Sequence, residues 1–363
     1  MDQFEIASIR QNDLADVAAF LATSDAARDT KPDAADRSIE SILRRLRWRL
    51  LDNPARFSDE LGQCLRSASG AIVGVNLSFP SWFRLGDKRL RGLCGGSFFV
   101  EPAARMQGFF LFRRFLKTHG ADFVFATTCN SSAGTLWKKL GGEAVPDSDC
   151  RWALILNAAP VAEELALRKR AGKAVAAMSR MAGYLAKPLL APGKGRPRVS
   201  LRPSRDWDRL ASLAAQNRDP SVLTCERLAA HLAWRYDQSP ALESHHVYEF
   251  AEHGGNGGWL AVGRKPNSGL RRQVRNYAIL DVVRPRTAGA GDSLLDALSE
   301  RYADRADQIE VPATLARHSS LGRPRLWKRP NGFAVAYVLG NESAPSKLAA
   351  AADLYLADGD SAD

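Results

Sequence analysis

Five cysteines among 363 residues are too few and too scattered for a disulfide framework. Cys64, Cys94, Cys129, Cys150 and Cys225 form no Cys-x-x-Cys pair, and their odd number leaves one thiol unmatched. They read as buried or free thiols in a reducing compartment. Long apolar runs are missing too, which excludes a helix that spans a membrane. The opening MDQFEIASIRQNDL has neither a basic segment nor an apolar core, so no secretory signal is expected and the protein reads as cytoplasmic. Nothing in the spacing of potential ligands calls for a metal. Acidic residues are absent from 165–205, which is rich in Arg and Lys. The net charge of +11 suits an anionic ligand, an anionic membrane face or RNA.

What is present suits a soluble globular protein: 45% hydrophobic and 25% charged residues, in a chain long enough for two domains. FEIASIR (4–10) reads as a strand. Helical patterns follow at Leu14–Ala27, with Asp13 as N-cap, and at Ala34–Leu51. Strands are expected at 61–67, 71–79 and 89–100, turned at Gly70 and at Gly86-Asp87.

Residues 97–141 carry the chemistry. A strand runs into Glu101-Pro102. A tight Arg105-Met106-Gln107-Gly108 loop then opens into an amphipathic helix, Phe109–Thr118. Exposed amides at a helix N-terminus, with the helix dipole behind them, make a diphosphate site. Gly108 allows close backbone approach and Arg105 adds a positive charge. A strand at Phe123–Thr127 follows, then Asn130, Ala133, Leu136, Lys139 and Gly141 mark a second helix and its stop. A strand at Arg151–Leu156 closes this half.

This order resembles the acyl-CoA site of the GNAT acyltransferase superfamily. There, Val-x-Pro precedes Arg-Gly-x-Gly-x-Gly/Ala and a helix, and a further strand leads to Asn-x-x-Ala-x-x-Leu-Tyr-x-Lys-x-Gly. Met106 and Phe110 depart from that pattern, replacing small residues. Trp137 stands where many members have a tyrosine acting as general acid. The resemblance implies an α+β fold in which the fourth and fifth strands splay apart around the pantetheine of acetyl-CoA or a longer acyl-CoA. Phe99 and Val100 would face it, and Met106, Gln107, Gly108, Phe109 and Phe110 would receive the diphosphate beside Arg105. Asn130 would contact the cofactor or cap its helix. Glu101 is the candidate base, and direct attack of an amine on the thioester is the expected reaction.

An internal repeat points to duplication. Leu46-Arg-Trp48-Arg49-Leu-Leu-Asp-Asn-Pro54 recurs 186 residues later as Leu232-Ala-Trp234-Arg235-Tyr-Asp-Gln-Ser-Pro240. In the second half an opening strand VSLRPS, helices at Asp206–Gln216 and Cys225–Tyr236, and strands at His246–Glu252, Gly258–Arg264 and Val274–Val283 repeat the order of the first. The expected division is 1–157 for a GNAT domain, 158–197 for a basic helical linker, 198–340 for a second GNAT-like domain with a degenerate loop at 284–292, and 341–363 for a disordered tail. Trp48, Arg49, Trp234 and Arg235 are candidate acceptor contacts, with a core tryptophan and a dipole-complementing arginine as the alternative.

The tandem arrangement resembles bacterial proteins that modify amino sugars of surface polysaccharides. Two other readings stay open: a Fem-type aminoacyl-tRNA-dependent transferase, and a non-catalytic GNAT-like binding or assembly protein. Thr287-Ala-Gly289-Ala-Gly291-Asp292 resembles a sugar-kinase phrase, but the strands before it read as antiparallel. The partner is expected to be a small-molecule or sugar amine rather than nucleic acid. Segment 165–196 is either a brace between domains or a contact with the inner membrane face.

Overall fold

The structure is a computed structural model. It describes residues 4–24, 38–117, 120–170, 172–190, 199–240, 245–251, 257–265, 274–285, 292–312, 314–315, 321, 326–330, 335–340 and 354–355. The first half opens with β1 (Glu5–Ile9), α1 (Leu14–Thr23) and α2 (Ile39–Leu50), followed by β2 (Gly62–Arg66), β3 (Ile72–Leu85) and β4 (Lys88–Val100). Then come α3 (Gly108–Leu116), β5 (Phe123–Cys129), α4 (Ser131–Lys139), β6 (Glu143–Ala144) and β7 (Cys150–Ile155). A helical pair, α5 (Ala158–Arg168) and α6 (Lys173–Leu190), leads into the second half.

That half repeats the sequence with β8 (Arg202–Pro203), α7 (Trp207–Gln216), β9 (Leu223–Cys225), α8 (Ala229–Tyr236), β10 (His245–Ala251), β11 (Gly257–Arg264), β12 (Asn276–Val283), α9 (Asp292–Tyr302) and β13 (Gln308–Pro312). It closes with β14 (Trp327–Pro330), β15 (Val335–Gly340) and β16 (Leu354–Tyr355).

Local chemistry explains the elements around the first sheet. On α2, Ile42, Leu46 and Leu50 recur every fourth residue and are buried, and Ser38 caps the helix by accepting from the Ser41 amide at 3.2 Å. With Val17 and Leu21 of α1 they cover one face of the sheet, against Val75, Phe79 and Phe125. On the other face Phe112, Phe115 and Leu116 of α3 meet Leu93, Val124 and Trp137. Gly70 and Gly86 turn the hairpins with φ of +82° and +57°, where a side chain would be strained.

Two sheets form, each a mixed sheet flanked by helices. The first has the order β1-β2-β3-β4-β5-β15-β6, with β9 paired to β3. The second has the order β14-β7-β13-β12-β11-β10-β8. The closing strands are exchanged. β7, expected to close the first half, pairs antiparallel with β13 and β14 of the second sheet. In return β15 crosses back and pairs with β5, Val338 opposite Phe125. Each sheet is thus completed by a strand from the other half, β7 from within 1–157 and β15 from within 198–340.

Several local expectations change. Asp13 starts α1 but does not cap it; its Oδ2 accepts from the Arg10 amide at 2.8 Å, and its Oδ1 pairs with Arg66 at 2.8 Å. The helix expected from Cys225 starts at Ala229, because 223–225 pairs with β3 as β9. Within the expected tail, Leu354–Tyr355 pairs in parallel with β9. Most of the 284–292 loop lies outside the described residues.

Candidate active site between β4 and β5

β4 and β5 run parallel but share only three register pairs: Gly92–Phe123, Leu93–Val124 and Cys94–Phe125. β4 then continues to Val100, held on its other side by β3 through Val75–Phe99 and Gly74–Val100. β5 continues to Cys129, held by β15 through Val335. Over 95–100 and 126–129 the two strands do not pair with each other, so an opening lies between their C-terminal ends. Residues 95–101 are accordingly half-buried, whereas 92–94 are buried.

A β-bulge accompanies the splay. Ser97 and Phe98 together oppose Asn76, and the register shifts between Val75 and Leu77. Ser97 has φ +52°, a left-handed conformation that is uncommon outside glycine. Bulges bend a strand and re-aim the residues after it. Here they are Phe99 and Val100, the positions expected to face the pantetheine. Ser97 was not singled out in the sequence, yet Gly95-Gly96 before it is a bulge signal inside a strand. Gly95 has a packing reason as well: a Cβ there would stand 2.9 Å from Cζ of Phe115 on α3.

The turn after β4 differs from the expected open loop. Pro102–Gln107 winds as a 3₁₀ turn with proline at its start, where a fixed φ favours helix entry. It runs directly into α3, and the Gly108 amide donates to the Arg105 carbonyl. That N–H is therefore engaged inside the turn. Gly108 has an ordinary helical φ of −56°, and a Cβ would meet Val100 Cγ2 at 3.4 Å. A Cβ there would be in ordinary contact, so neither the backbone angle nor the packing against β4 calls for glycine at this position. Arg105 is exposed at this helix start, and so are Met106, Phe109 and Phe110, at 83%, 39% and 53%. These three side chains form an exposed apolar rim beside a cation. Gln107 lies half-buried between them.

Across the opening, Asn130 ends β5 and caps α4, its Oδ1 accepting from the Ala133 amide at 2.9 Å. Its exposed amide nitrogen still points a donor group away from that cap. Glu101 hydrogen-bonds through its backbone to Val73 at 2.9 Å, and its half-exposed carboxylate does not cap the turn. Trp137 is 2% exposed, edge-on to Phe112 with centroids 5.2 Å apart, so this position supplies packing and no acid. Burial pushes the Cys129 thiol up to about 12, which keeps it protonated and inert.

The Trp-Arg repeat is placed elsewhere. Trp48 and Trp234 stack on one another, with centroids 4.9 Å apart, at 7% and 6% exposure. The guanidiniums of Arg49 and Arg235 lie 5.9 and 5.8 Å from the Trp48 ring centre. These four residues meet each other at the junction of the halves, an arrangement that suits the alternative of core tryptophans beside helix-end arginines. The His231 ring also stacks on Trp234, with centroids 5.5 Å apart.

The second half repeats the frame. β12 and β13 pair in parallel over Asn276–Gln308, Tyr277–Ile309 and Ala278–Glu310 and then part. A bulge at Leu280 shifts the register between Ala261 and Val262. Just past it the chemistry differs. Asp281 Oδ1 accepts from the Val282 amide at 2.8 Å, and the carboxylate is held by Arg227 at 2.8 Å, both side chains buried. A backbone donor beyond the bulge is thereby occupied from within the chain.

No family model and no curated protein matches the sequence. Solved structures do. The chain is similar to a GCN5-related N-acetyltransferase from Anabaena variabilis, with 10% identity over 93% of this chain and 72% of that one and a TM-score of 0.54. It is similar to a GCN5-related N-acetyltransferase from Kribbella flavida, with 12% identity, 93% and 71% coverage and a TM-score of 0.50. It is also similar to Saccharomyces cerevisiae N-myristoyltransferase with bound myristoyl-CoA, with 12% identity, 98% and 85% coverage and a TM-score of 0.52. At these identities the likeness is one of fold: the chain has the GNAT fold, in two copies.

Proposed function

We propose that the first half binds an acyl-CoA in the opening between β4 and β5 and transfers its acyl group to an amine. The observation that carries this reading is the parting of the two strands beyond Cys94 and Phe125, with the bulge at Ser97-Phe98 on its margin. An unpaired strand edge offers backbone groups to an amide-containing chain such as pantetheine. Arg105 and the start of α3 supply positive potential for the diphosphate. The similar structures whose names specify N-acetyl and N-myristoyl transfer support the same chemistry here, for an acetyl or a longer acyl group.

The amine nitrogen attacks the thioester carbonyl carbon, and the resulting oxyanion accepts from a backbone N–H near Val100. The N–C bond is made first, and the C–S bond breaks as the oxyanion collapses back to a carbonyl. The amine proton passes to Glu101 through water, and the thiolate leaves as such or takes a proton from solvent, since Trp137 has none to give. The second half, with its donor at Val282 occupied by Asp281, binds no CoA and completes the first sheet through β15. An amino sugar of a surface polysaccharide is the acceptor class that the tandem arrangement favours.

Release of free CoA thiol from acetyl-CoA and longer acyl-CoAs, screened against amino sugars and other amines, tests the reaction. Glu101→Gln should lower kcat by at least about 100-fold with acyl-CoA affinity unchanged. Unchanged turnover in that variant removes Glu101 from the mechanism, and no turnover of any acyl-CoA removes the reaction.

A further inference from the structure

The basic charge of the chain has one source. Of its 51 Lys and Arg, eleven lie in 165–205, where there is no Asp or Glu; the other forty are matched by 40 acidic residues elsewhere. This segment includes α6, which the structure attaches by a narrow seam. From Lys173 to Leu185 only Ala176, Ser179 and Gly183 are less than exposed. Gly183 sits against α5 so closely that a Cβ would stand 2.5 Å from Ala159 Cα. Arg180, beside the seam, pairs with the buried Glu163 of α5 at 3.1 Å.

The side of α6 opposite the seam is apolar. At 100° per residue, Ala174, Met178, Met181 and Leu185 line one strip, flanked by Val175 and Ala182. Met178 and Met181 are each 64% exposed, Leu185 80% and Val175 45%. No charged residue interrupts this sector. Lys173 and Arg180 run along the flank beside it, and Arg168, Lys169 and Arg170 precede it in sequence. The brace reading of this segment required the apolar positions 178, 181 and 185 to pack on both halves, and all three are exposed instead.

We propose that α6 docks on the surface of an anionic phospholipid bilayer, its Met178–Met181–Leu185 strip entering the headgroup boundary and its basic residues meeting lipid phosphates. An apolar strip on one side of a convex helix and lysine or arginine along the other is the pattern of helices that lie in the interface plane. Charge decides the occupant. A second copy would bring two acid-free basic segments together, whereas an anionic lipid surface is their complement. Among the described residues no helix is long and apolar enough to cross a membrane, so the contact is with the surface.

Co-sedimentation of the full chain with vesicles of phosphatidylcholine alone, and with about one-third phosphatidylglycerol, tests this independently of catalysis. The expected result is binding to the anionic vesicles only, weakened by salt. Met178→Glu with Leu185→Glu, and separately Lys169→Glu with Arg170→Glu, should each weaken it by at least about tenfold. All four positions are exposed, so unfolding midpoint and acyl-CoA affinity should stay unchanged. Absence of binding at low salt overturns the proposal even with no variant in hand. So does binding that persists in the Met178–Leu185 variant, or a vesicle-free dimer that this variant dissociates, which would assign the strip to a second copy.

Discussion

Trp48 and Trp234 hold each other by exchange: the Trp48 indole N–H donates to the Trp234 carbonyl at 3.1 Å, and the Trp234 indole N–H donates to the Trp48 carbonyl at 2.9 Å. Two residues 186 positions apart thus satisfy the same pair of bonds in both directions, as residues on a twofold axis do. The sequence repeat and the structural pseudo-symmetry meet at this contact. Either tryptophan replaced by alanine should cost about 3–5 kcal/mol in urea unfolding. The double variant should cost well under the sum, since the second change removes a partner already lost. Strictly additive losses, or a raised acceptor KM at unchanged stability, would speak for the acceptor role instead.

Strand exchange makes the halves interdependent. Residues 1–157 expressed alone lack β15, the strand that pairs with β5 beside the opening. That fragment should show no cooperative unfolding and no acyl-CoA binding, while co-expression with 158–363 should restore both. A fragment 1–157 that folds and binds acyl-CoA by itself would show that β15 is dispensable.

The Arg227–Asp281 pair is buried on both sides, at 6% and 4% side-chain exposure. Asp281→Ala leaves a guanidinium uncompensated and should destabilise by about 3–5 kcal/mol. Arg227→Met combined with Asp281→Leu should recover most of that loss, because neither charge of the pair remains. Equal losses in the single and double variants would locate the cost in packing.

Acid should weaken the second half first. Burial, helped by Arg227 and Arg235, lowers His231 to about 4, and burial with Arg235 lowers His245 to about 4. The unfolded chain takes up these protons near pH ~6.5. Between about 6.5 and 4 the unfolded state alone binds them, so stability is full above that window and falls as pH drops through it, by on the order of 1–3 kcal/mol per histidine. His231→Gln should flatten the urea midpoint between pH ~7 and ~5. A slope identical to that of the native chain would show that other groups carry the acid sensitivity.

Much of this architecture was legible because it is local. Gly70 and Gly86 announced hairpins, the helical pattern over Ala34–Leu51 announced α2, and Pro102, Arg105, Gly108 and Asn130 announced the strand–turn–helix order around the opening. Pairing partners were not legible. Cys150–Ile155 has the apolar pattern of any closing strand, and nothing in it says which sheet it joins. The Trp-Arg phrase gave the duplication but not the reason for it, since an aromatic beside an arginine suits a ligand face and a buried axis equally. The bulge left a trace in Gly95-Gly96, whereas the engagement of the Gly108 amide depends on how the turn from Pro102 winds.

The central claim is one acyl-CoA site per chain, in the opening between β4 and β5 of the first half. Titration calorimetry with acetyl-CoA on the full chain, on Gly108→Asp and on Asp281→Asn tests it most directly. A Cβ at 108 has ordinary contacts with Val100 and Phe98, and an aspartate there adds a negative charge at the start of α3, with an unchanged unfolding midpoint as the control for folding. The native chain and Asp281→Asn should bind one equivalent with similar affinity, and Gly108→Asp should weaken binding by at least about 100-fold. Two equivalents per chain, or unchanged affinity in Gly108→Asp, would contradict the assignment.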